Sequence, residues 1–175
     1  MSLPATIRTT QPADRQPIQA IADQEALFTA EEAACVSELL GDYLGRPDHN
    51  GYFFLTAEVG GEVAGFACYG PTPLTHGTYD LYWVAVGPEF KRQGIGRSLM
   101  QQVEQEVRQQ GGRMLVADTS GSPAYDRTRE FYERLGFQRA ATVPDFYREG
   151  DPLVLYVKSL QPDRQRTKAT LDQSA

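Results

Sequence analysis

The sequence is poor in the residues from which metal centres and disulfide frameworks are built. Its 175 residues include two cysteines and two histidines. Cys35 and Cys68 each stand alone in an apolar context, so we expect two reduced, buried thiols. His49 and His76 fall in separate loops, with no cysteine or glutamate at the spacing of a ligand set. No metal site is predicted from this pattern.

Long hydrophobic runs and an excess of positive charge are also missing. No segment approaches the ~20 apolar residues that a membrane span needs, and the first residues lack the basic and apolar regions of a signal peptide. We therefore expect a cytoplasmic protein without a membrane partner. Seventeen basic residues face 23 acidic ones, a net charge of −6. A nucleic-acid partner is not expected, because binding the phosphate backbone needs a basic face. The acidic balance mildly favours a cationic partner such as an amine.

Short strand and helix patterns are present from residue 4 to residue 160. Their order is β-α-α-β-β-β-α-β-α-β-β, which predicts an α/β fold with a mixed sheet flanked by helices, in a single domain over 4–160. Three consecutive strands in the middle exclude a simple alternating doubly wound sheet. Residues 161–175 are polar without a periodic apolar face, and we expect them to form a disordered tail.

Four local expectations accompany this pattern. Residues 119–123 are predicted to be a loop by their Ser, Gly and Pro content, and residues 150–152 are predicted to turn the chain between the last two strands. The second helix is predicted to end at Gly45-Arg46-Pro47. Its inward residues are predicted to be Ala34, Cys35, Leu39, Leu40 and Tyr43.

One stretch carries most of the functional information. The apolar run from Asp80 to Val86 ends at Gly87-Pro88, a basic loop with two glycines follows, and a helical pattern then begins near Ile95. A strand, a glycine loop and a helix N-terminus together can hold a phosphate through free backbone N–H groups and the helix dipole. The alternative is that the glycines serve only close packing.

Two well-known phosphate loops are excluded by residue type. A dinucleotide fingerprint requires a third glycine where this chain has Leu99, and it follows a strand early in the chain. A P-loop requires Gly-Lys-Ser/Thr, which is absent here.

Two motifs together resemble the GNAT superfamily of N-acetyltransferases. Lys91-Arg92-Gln93-Gly94-Ile95-Gly96 is similar to the family's Gln/Arg-x-x-Gly-x-Gly/Ala signature. Arg129-Glu130-Phe131-Tyr132-Glu133-Arg134-Leu135-Gly136-Phe137 is similar to its Phe/Leu-Tyr-x-x-x-Gly-Phe helix end. Lys91 departs from the pattern, since lysine keeps the charge but loses the planar geometry of arginine.

The resemblance implies the acyl-CoA N-acyltransferase fold, with acetyl-CoA as co-substrate and its pyrophosphate on the glycine loop. It also implies that a backbone N–H near the end of the preceding strand stabilises the oxyanion. The residues expected to bind the cofactor are Val84, Ala85, Val86, Lys91, Arg92, Gln93, Gly94, Ile95, Gly96, Arg97 and Tyr132.

The resemblance further implies roles in proton transfer. Tyr132 matches the family's general acid, and a phenol with a pKa of ~10 is protonated at neutral pH. The alternative is a core tyrosine that only packs. Asp80 stands where some members have a glutamate base, and it would act directly or through a water. Strand alternation places Asp80, Tyr82, Val84 and Val86 on one face. The alternative for Asp80 is a solvated carboxylate at a strand end.

The sequence therefore predicts an N-acetyltransferase that moves the acetyl group of acetyl-CoA to a primary amine by direct attack in a ternary complex. A small-molecule amine is the first expectation, and a peptide or protein amine is the alternative. A non-catalytic acyl-CoA-binding module is the alternative from another class. The acceptor site is expected at the two early helices and the loops at His76 and at residues 148–150. A homodimer is left open, and Tyr125 replaces an asparagine that is usual in the family.

Overall fold

The structure is a computed structural model that describes residues 4–46 and 51–161. His49 and the expected tail from residue 162 onward lie outside the described residues. The predicted element order is confirmed. The strands are β1 (Thr6–Thr9), β2 (Phe53–Val59), β3 (Glu62–Pro71), β4 (Thr78–Val86), β5 (Met114–Ser120), β6 (Gln138–Arg148) and β7 (Asp151–Ser159). The helices are α1 (Arg15–Gln24), α2 (Ala30–Gly45), α3 (Ile95–Gln109) and α4 (Asp126–Arg134).

The seven strands form one mixed sheet in the order β1-β2-β3-β4-β5-β7-β6. Helices cover both faces, as the sequence predicts. On the face of α1 and α2, Ile18, Val36 and Leu40 pack against Phe54 and Phe66 of the sheet. On the opposite face, α3 and α4 pack against the sheet around Leu99, Val103, Leu115, Tyr132 and Tyr156. We refer to these as the α1/α2 face and the α3/α4 face.

The two central strands separate soon after they meet. β4 and β5 run parallel and pair only where Thr78, Tyr79 and Asp80 face Met114, Leu115 and Val116. Beyond that point β5 continues along β7 as far as Ser120, while β4 continues along β3 as far as Val86. A gap therefore opens in the middle of the sheet just past Asp80.

A bulge in β4 overturns the prediction that Asp80, Tyr82, Val84 and Val86 share one face. Cys68 pairs with Trp83 and Tyr69 pairs with Leu81, so Tyr82 is an extra residue in β4. Tyr82 and Trp83 consequently both lie with the α1/α2 core. Val84 and Val86 lie with the α3/α4 core, and so does Leu81. Asp80 precedes Leu81 in the strand and therefore lies on the opposite, α1/α2 face. The extra residue reverses the two-residue alternation on which the prediction depended.

The prediction that both cysteines are buried is correct for one of them. Cys68 is fully buried in β3, and burial raises the pKa of its thiol. Cys35 is exposed, so its predicted burial is wrong. The core-facing residues of α2 are Ala33, Val36, Leu40 and Tyr43. Ala34 and Cys35 lie outside this stripe and are both exposed.

Two predicted loop segments belong to strands. Thr119 and Ser120 extend β5, and Asp151 with Pro152 begins β7. The strands continue because Ser120 pairs with Leu153, at the point where the local composition predicted a break. Within the described residues no helix has the length and hydropathy of a membrane-spanning segment.

Candidate active site

The glycine loop delivers free backbone N–H groups to one end of the gap between β4 and β5. Gly94 has a φ of +81° and stands immediately before α3, and Arg92 has a φ of +64°. The first bond of the helix runs from Ser98 N–H to the Gly94 carbonyl at 3.0 Å. The N–H groups of the preceding turn therefore have no partner within the helix. Such a turn fits a pyrophosphate, which accepts hydrogen bonds from several amides at once.

The two glycines of the loop stand in different environments. A Cβ at Gly94 would meet no atom within 4 Å, so this position requires glycine for its left-handed conformation. A Cβ at Gly96 would lie 3.4 Å from the ring of Phe131 on α4. A Cβ at this distance makes an ordinary van der Waals contact, so the packing of α3 against α4 does not by itself require glycine at position 96.

The cations predicted for the loop are not equivalent. Lys91 Nζ lies 2.9 Å from Glu25 Oε2, in the connection between α1 and α2. Arg92 and Arg97 are exposed beside the loop. Ile95 is buried in the core, so only its backbone N–H remains for a ligand. Gln93 donates from Nε2 to the carbonyl of Glu89 at 3.1 Å, which closes the loop.

Tyr132 projects from α4 into the sheet, and its side chain is almost completely buried. Its ring lies 5.4–5.7 Å from the rings of Phe137, Phe131 and Tyr156. Burial, and then the negative charge of Asp118, raise the pKa of the phenol. The hydroxyl is therefore protonated throughout the physiological range and can act as a donor.

Asp80 lies at the vertex where β4 and β5 separate. Its Oδ2 accepts a hydrogen bond of 2.8 Å from Thr72 Oγ1, in the loop between β3 and β4. Burial, and then the charge of Asp80, raise the pKa of neighbouring Tyr82 to about 12. Asp80 is partly exposed, so both an acceptor and a water can reach it from the α1/α2 face.

Several contacts at this site could not be predicted from the sequence. Tyr125 donates from its hydroxyl to the carbonyl of Leu27 at 2.7 Å, and so ties the start of α4 to the α1–α2 connection. Tyr147 on β6 donates to Asp118 Oδ2 on β5 at 2.9 Å. Asp118 and Tyr147 are 29 positions apart and share no local motif, so only the fold brings them together.

The predicted acceptor loops are only partly at the site. Arg113 Nε donates to the His76 carbonyl at 2.7 Å, which holds this loop beside the start of β4, before the gap. Arg148 lies 3.5 Å from Asp151 at the β6–β7 turn. It is adjacent in sequence to Tyr147, which bonds to Asp118. Glu32 accepts a bond of 2.7 Å from Thr29 N–H as part of a capping box, so this carboxylate stabilises the start of α2.

The predicted site residues therefore divide between the two faces of the sheet. The glycine loop and Tyr132 lie on the α3/α4 face, and Asp80 lies on the α1/α2 face, with the gap between β4 and β5 joining them. A separate groove of about 910 Å³ lies between α1 and α2, and Gln19, Asp23 and Ser37 are among its lining residues. It contains none of the predicted catalytic or cofactor-binding residues. No three side chains of the metal-ligating types converge within the described ranges.

Comparisons with known proteins give a consistent result. Residues 18–137 match the acetyltransferase (GNAT) family. A GNAT-family protein from Desulfovibrio desulfuricans is 42% identical, with a TM-score of 0.87, over 90% of this chain and 100% of that one. The yncA protein of Salmonella typhimurium, solved with its cofactor acetyl-CoA, is 26% identical, with a TM-score of 0.74, over 92% and 99%. The [Ribosomal protein bS18]-alanine N-acetyltransferase of Escherichia coli is 31% identical over 50% of this chain, and the match spans only 55% of that relative's length.

Proposed function

Since this chain belongs to the GNAT family of acetyl-CoA-dependent acetyltransferases, we propose that it transfers the acetyl group of acetyl-CoA to a primary amine by direct attack in a ternary complex. The observation that carries this proposal is the gap between β4 and β5. It connects the phosphate-binding turn and the Tyr132 acid on one face with the carboxylate of Asp80 on the other. A thioester held in the gap would be open to an amine from the α1/α2 face.

The chain contributes a separate group to each half of the proposed site. The amides before α3, with Arg92 and Arg97, bind the pyrophosphate, and Lys91 joins them if it leaves Glu25. A backbone N–H of Val84, Ala85 or Val86, next to the bulge, donates to the developing oxyanion. Acetyl-CoA supplies the activated acyl group.

Protons move in a defined order in this proposal. The acceptor arrives as an ammonium, because alkyl amines have pKa values near 10, and it first gives one proton to Asp80, directly or through a water. The nitrogen then forms a bond to the carbonyl carbon, and the carbon–sulfur bond breaks. Tyr132 gives its proton to the leaving sulfur, and the second proton lost by the nitrogen restores the phenol through solvent. The balance is one amide, one free thiol and one released proton.

A small-molecule amine is the proposed acceptor. The bond from Tyr125 to Leu27 holds the α1–α2 connection close to the start of α4. This contact narrows the path by which an acceptor would reach the gap from the α1/α2 face. A protein or peptide amine is the second candidate. It is favoured by the 31% identity to an enzyme named for acetylating the alanine of a ribosomal protein. A homodimer stays a prediction.

A screen of amines tests the proposed function. Release of free thiol from acetyl-CoA would be followed with small mono- and diamines, aminoglycosides and peptides with free N-termini, and each product would be weighed by mass spectrometry. We expect thiol release with a matching mass gain of one acetyl group on at least one small amine. Binding of CoA without turnover on any amine would instead support a non-catalytic acyl-CoA-binding module.

A further inference from the structure

A second carboxylate faces the gap from the opposite strand. Asp118 stands two residues beyond Val116, the last residue of β5 that pairs with β4. Its neighbours Ala117 and Thr119 are buried, and Ala117 packs in the α3/α4 core, so Asp118 points to the α1/α2 face, as Asp80 does. It is exposed. The two carboxylates therefore stand on adjacent strands at the mouth of the gap.

Asp118 is held in place from the edge of the sheet. The Tyr147 hydroxyl donates to its Oδ2 at 2.9 Å, and thereby reaches across from β6. This bond leaves Oδ1 free to accept from another donor, because a carboxylate can accept several hydrogen bonds. Tyr147 remains 45% exposed, so the pair lies at a surface that a ligand can approach.

Asp118 is also electrostatically coupled to the catalytic centre. Burial is the larger cause that raises the pKa of Tyr132, and the charge of Asp118 is the second. Asp118 has this effect although it lies on the opposite face of the sheet from Tyr132. The same charge adds to burial in raising the pKa of Tyr147. The field of this carboxylate thus extends through the gap to the phenol that serves the leaving thiol.

No positively charged side chain forms an ion pair with Asp118 in the part of the chain that the structure describes. Arg148, next to Tyr147 at the end of β6, lies 3.5 Å from Asp151 instead. Asp151 also accepts a bond of 2.5 Å from Ser120. Asp118 therefore differs from Asp151, whose two oxygens both have partners within the chain.

We propose that Asp118, positioned by Tyr147, binds the ammonium group of the acceptor and holds it at the gap before Asp80 removes its proton. Asp118 is thus a specificity-determining residue on β5, and Tyr147 is a positioning residue on β6. The acceptor class that this arrangement selects is a cationic primary amine. The inference rests on the proposed function, and it assigns binding and proton removal to different carboxylates.

This division has a structural reason. Asp80 stands at the vertex, and its partner there is the neutral hydroxyl of Thr72. Asp118 stands further along the opened gap. The acceptor nitrogen becomes positive again when it bonds to the carbonyl carbon, and that charge would offset the charge of Asp118 that acts on Tyr132. Attack by the acceptor would then make the phenol a better acid at the moment when the thiolate needs a proton.

Steady-state kinetics with the most active amine from the screen would test the assignment. Asp118→Asn should raise KM for the amine about 10- to 100-fold, the loss expected for a hydrogen bond to a charged group. Its kcat should stay within about threefold of wild type, since proton removal remains with Asp80. Tyr147→Phe keeps the ring and removes only the hydroxyl, and it should raise KM by a smaller factor. Glu130→Gln, which neutralises an exposed carboxylate on α4 that pairs with Arg134, should leave KM unchanged.

Added salt provides an independent readout that a purely structural role would not move. KM for the amine should rise with salt in wild type and less steeply in Asp118→Asn, because salt screens an exposed ion pair. An unchanged KM in Asp118→Asn would overturn the assignment. A large fall in kcat with a shifted pH profile would overturn it too, by making Asp118 the base. If wild type turned over no amine, the proposed function itself would have failed, so the two failures are distinguishable.

Discussion

At the scale of single residues, Arg92 adopts a conformation that usually requires glycine. Its φ is +64°, and an L-residue in the left-handed region costs roughly 1–2 kcal/mol. This left-handed conformation places the arginine, and the amides that follow it, at the start of the proposed phosphate-binding turn. We infer that the loop keeps the strained residue for ligand binding rather than for folding.

Two substitutions at Arg92 separate these contributions. Arg92→Gly and Arg92→Ala both remove the charge and should weaken CoA binding to a similar extent, about 3- to 10-fold by calorimetry. Arg92→Gly relieves the strain, so its free energy of unfolding in urea should exceed that of Arg92→Ala by about 1 kcal/mol. Equal stability of the two variants would show that the left-handed conformation is not strained.

Local motifs predict candidate residues that lie within one loop or one helix. Tyr132 and Gly94 could be predicted because the helix end and the glycine loop each lie within a few positions. The face of Asp80 could not, because it depends on a bulge that is defined by pairing with β3. Asp118 and Tyr147 could not be predicted either, because their contact arises only when β6 and β5 are brought into one sheet.

At the scale of elements, Lys91 connects the glycine loop to the segment between α1 and α2. Its Nζ pairs with Glu25 at 2.9 Å, and Glu25 is largely buried whereas Lys91 is not. The pyrophosphate and Glu25 would compete for the same ammonium. We therefore expect cofactor binding to be coupled to the segment between α1 and α2, which borders the proposed acceptor side.

Calorimetry on variants of this pair would measure the coupling. Glu25→Gln should tighten CoA binding a few-fold by releasing Lys91, and Lys91→Gln should weaken it. The double variant should resemble Lys91→Gln, since the effect of Glu25 acts through Lys91. Glu89→Gln is the control, because it neutralises a nearby carboxylate that forms no ion pair with Lys91 among the described residues. Simple additivity of the two single changes would contradict the coupling.

A buried ionic cluster joins β1 to the start of α1. Arg8 bonds both oxygens of Asp14, at 2.6 and 2.9 Å, and Asp14 is 3% exposed. Burial alone would raise the pKa of Asp14, but the bonds from Arg8, from the Gln11 N–H and from Thr56 outweigh it and lower the pKa. A carboxylate whose pKa is lower in the folded state stabilises the fold above its unfolded value of ~3.9.

Asp14→Asn should therefore lower the free energy of unfolding at pH 7 by about 2–3 kcal/mol, the value of hydrogen bonds to a charged group. The difference from wild type should shrink as the pH falls below about 4, because wild type then loses the same charge. Glu58→Gln removes the more exposed partner of Arg8 and should cost under about 1 kcal/mol. Denaturant unfolding at several pH values would measure this, and a pH-independent difference would contradict the ionic role.

The elements themselves were largely predictable, because the helices and strands have strong apolar periods and clear stops. The hairpin between β2 and β3 turns at Gly60-Gly61, two glycines that adopt φ values of +60° and +88°. The loops at residues 119–120 and 151–152 were predicted wrongly, because pairing between β5 and β7 overrides local composition. The sequence of neither strand predicts that β4 and β5 separate, because the separation depends on how each strand pairs with its other neighbour in the sheet.

At the scale of the whole molecule, the gap gives the two substrates separate routes to one point. In the proposed reaction, the donor approaches along the α3/α4 face and the acceptor approaches from the α1/α2 face. The family resemblance that the two motifs predicted is confirmed by the match over residues 18–137. The resemblance describes the donor side more fully, because the motif residues lie there.

The turnover of Tyr132→Phe at saturating acetyl-CoA tests the central claim most directly. The substitution removes one hydroxyl and leaves the ring against Phe137 and Tyr156. Tyr156→Phe is the matched control, since that hydroxyl bonds only to Glu133 at 3.0 Å among the described residues. We predict a kcat about 100-fold below wild type for Tyr132→Phe, an unchanged CoA affinity, and near wild-type turnover for Tyr156→Phe. An unchanged kcat in Tyr132→Phe would contradict the account of acetyl transfer at this gap.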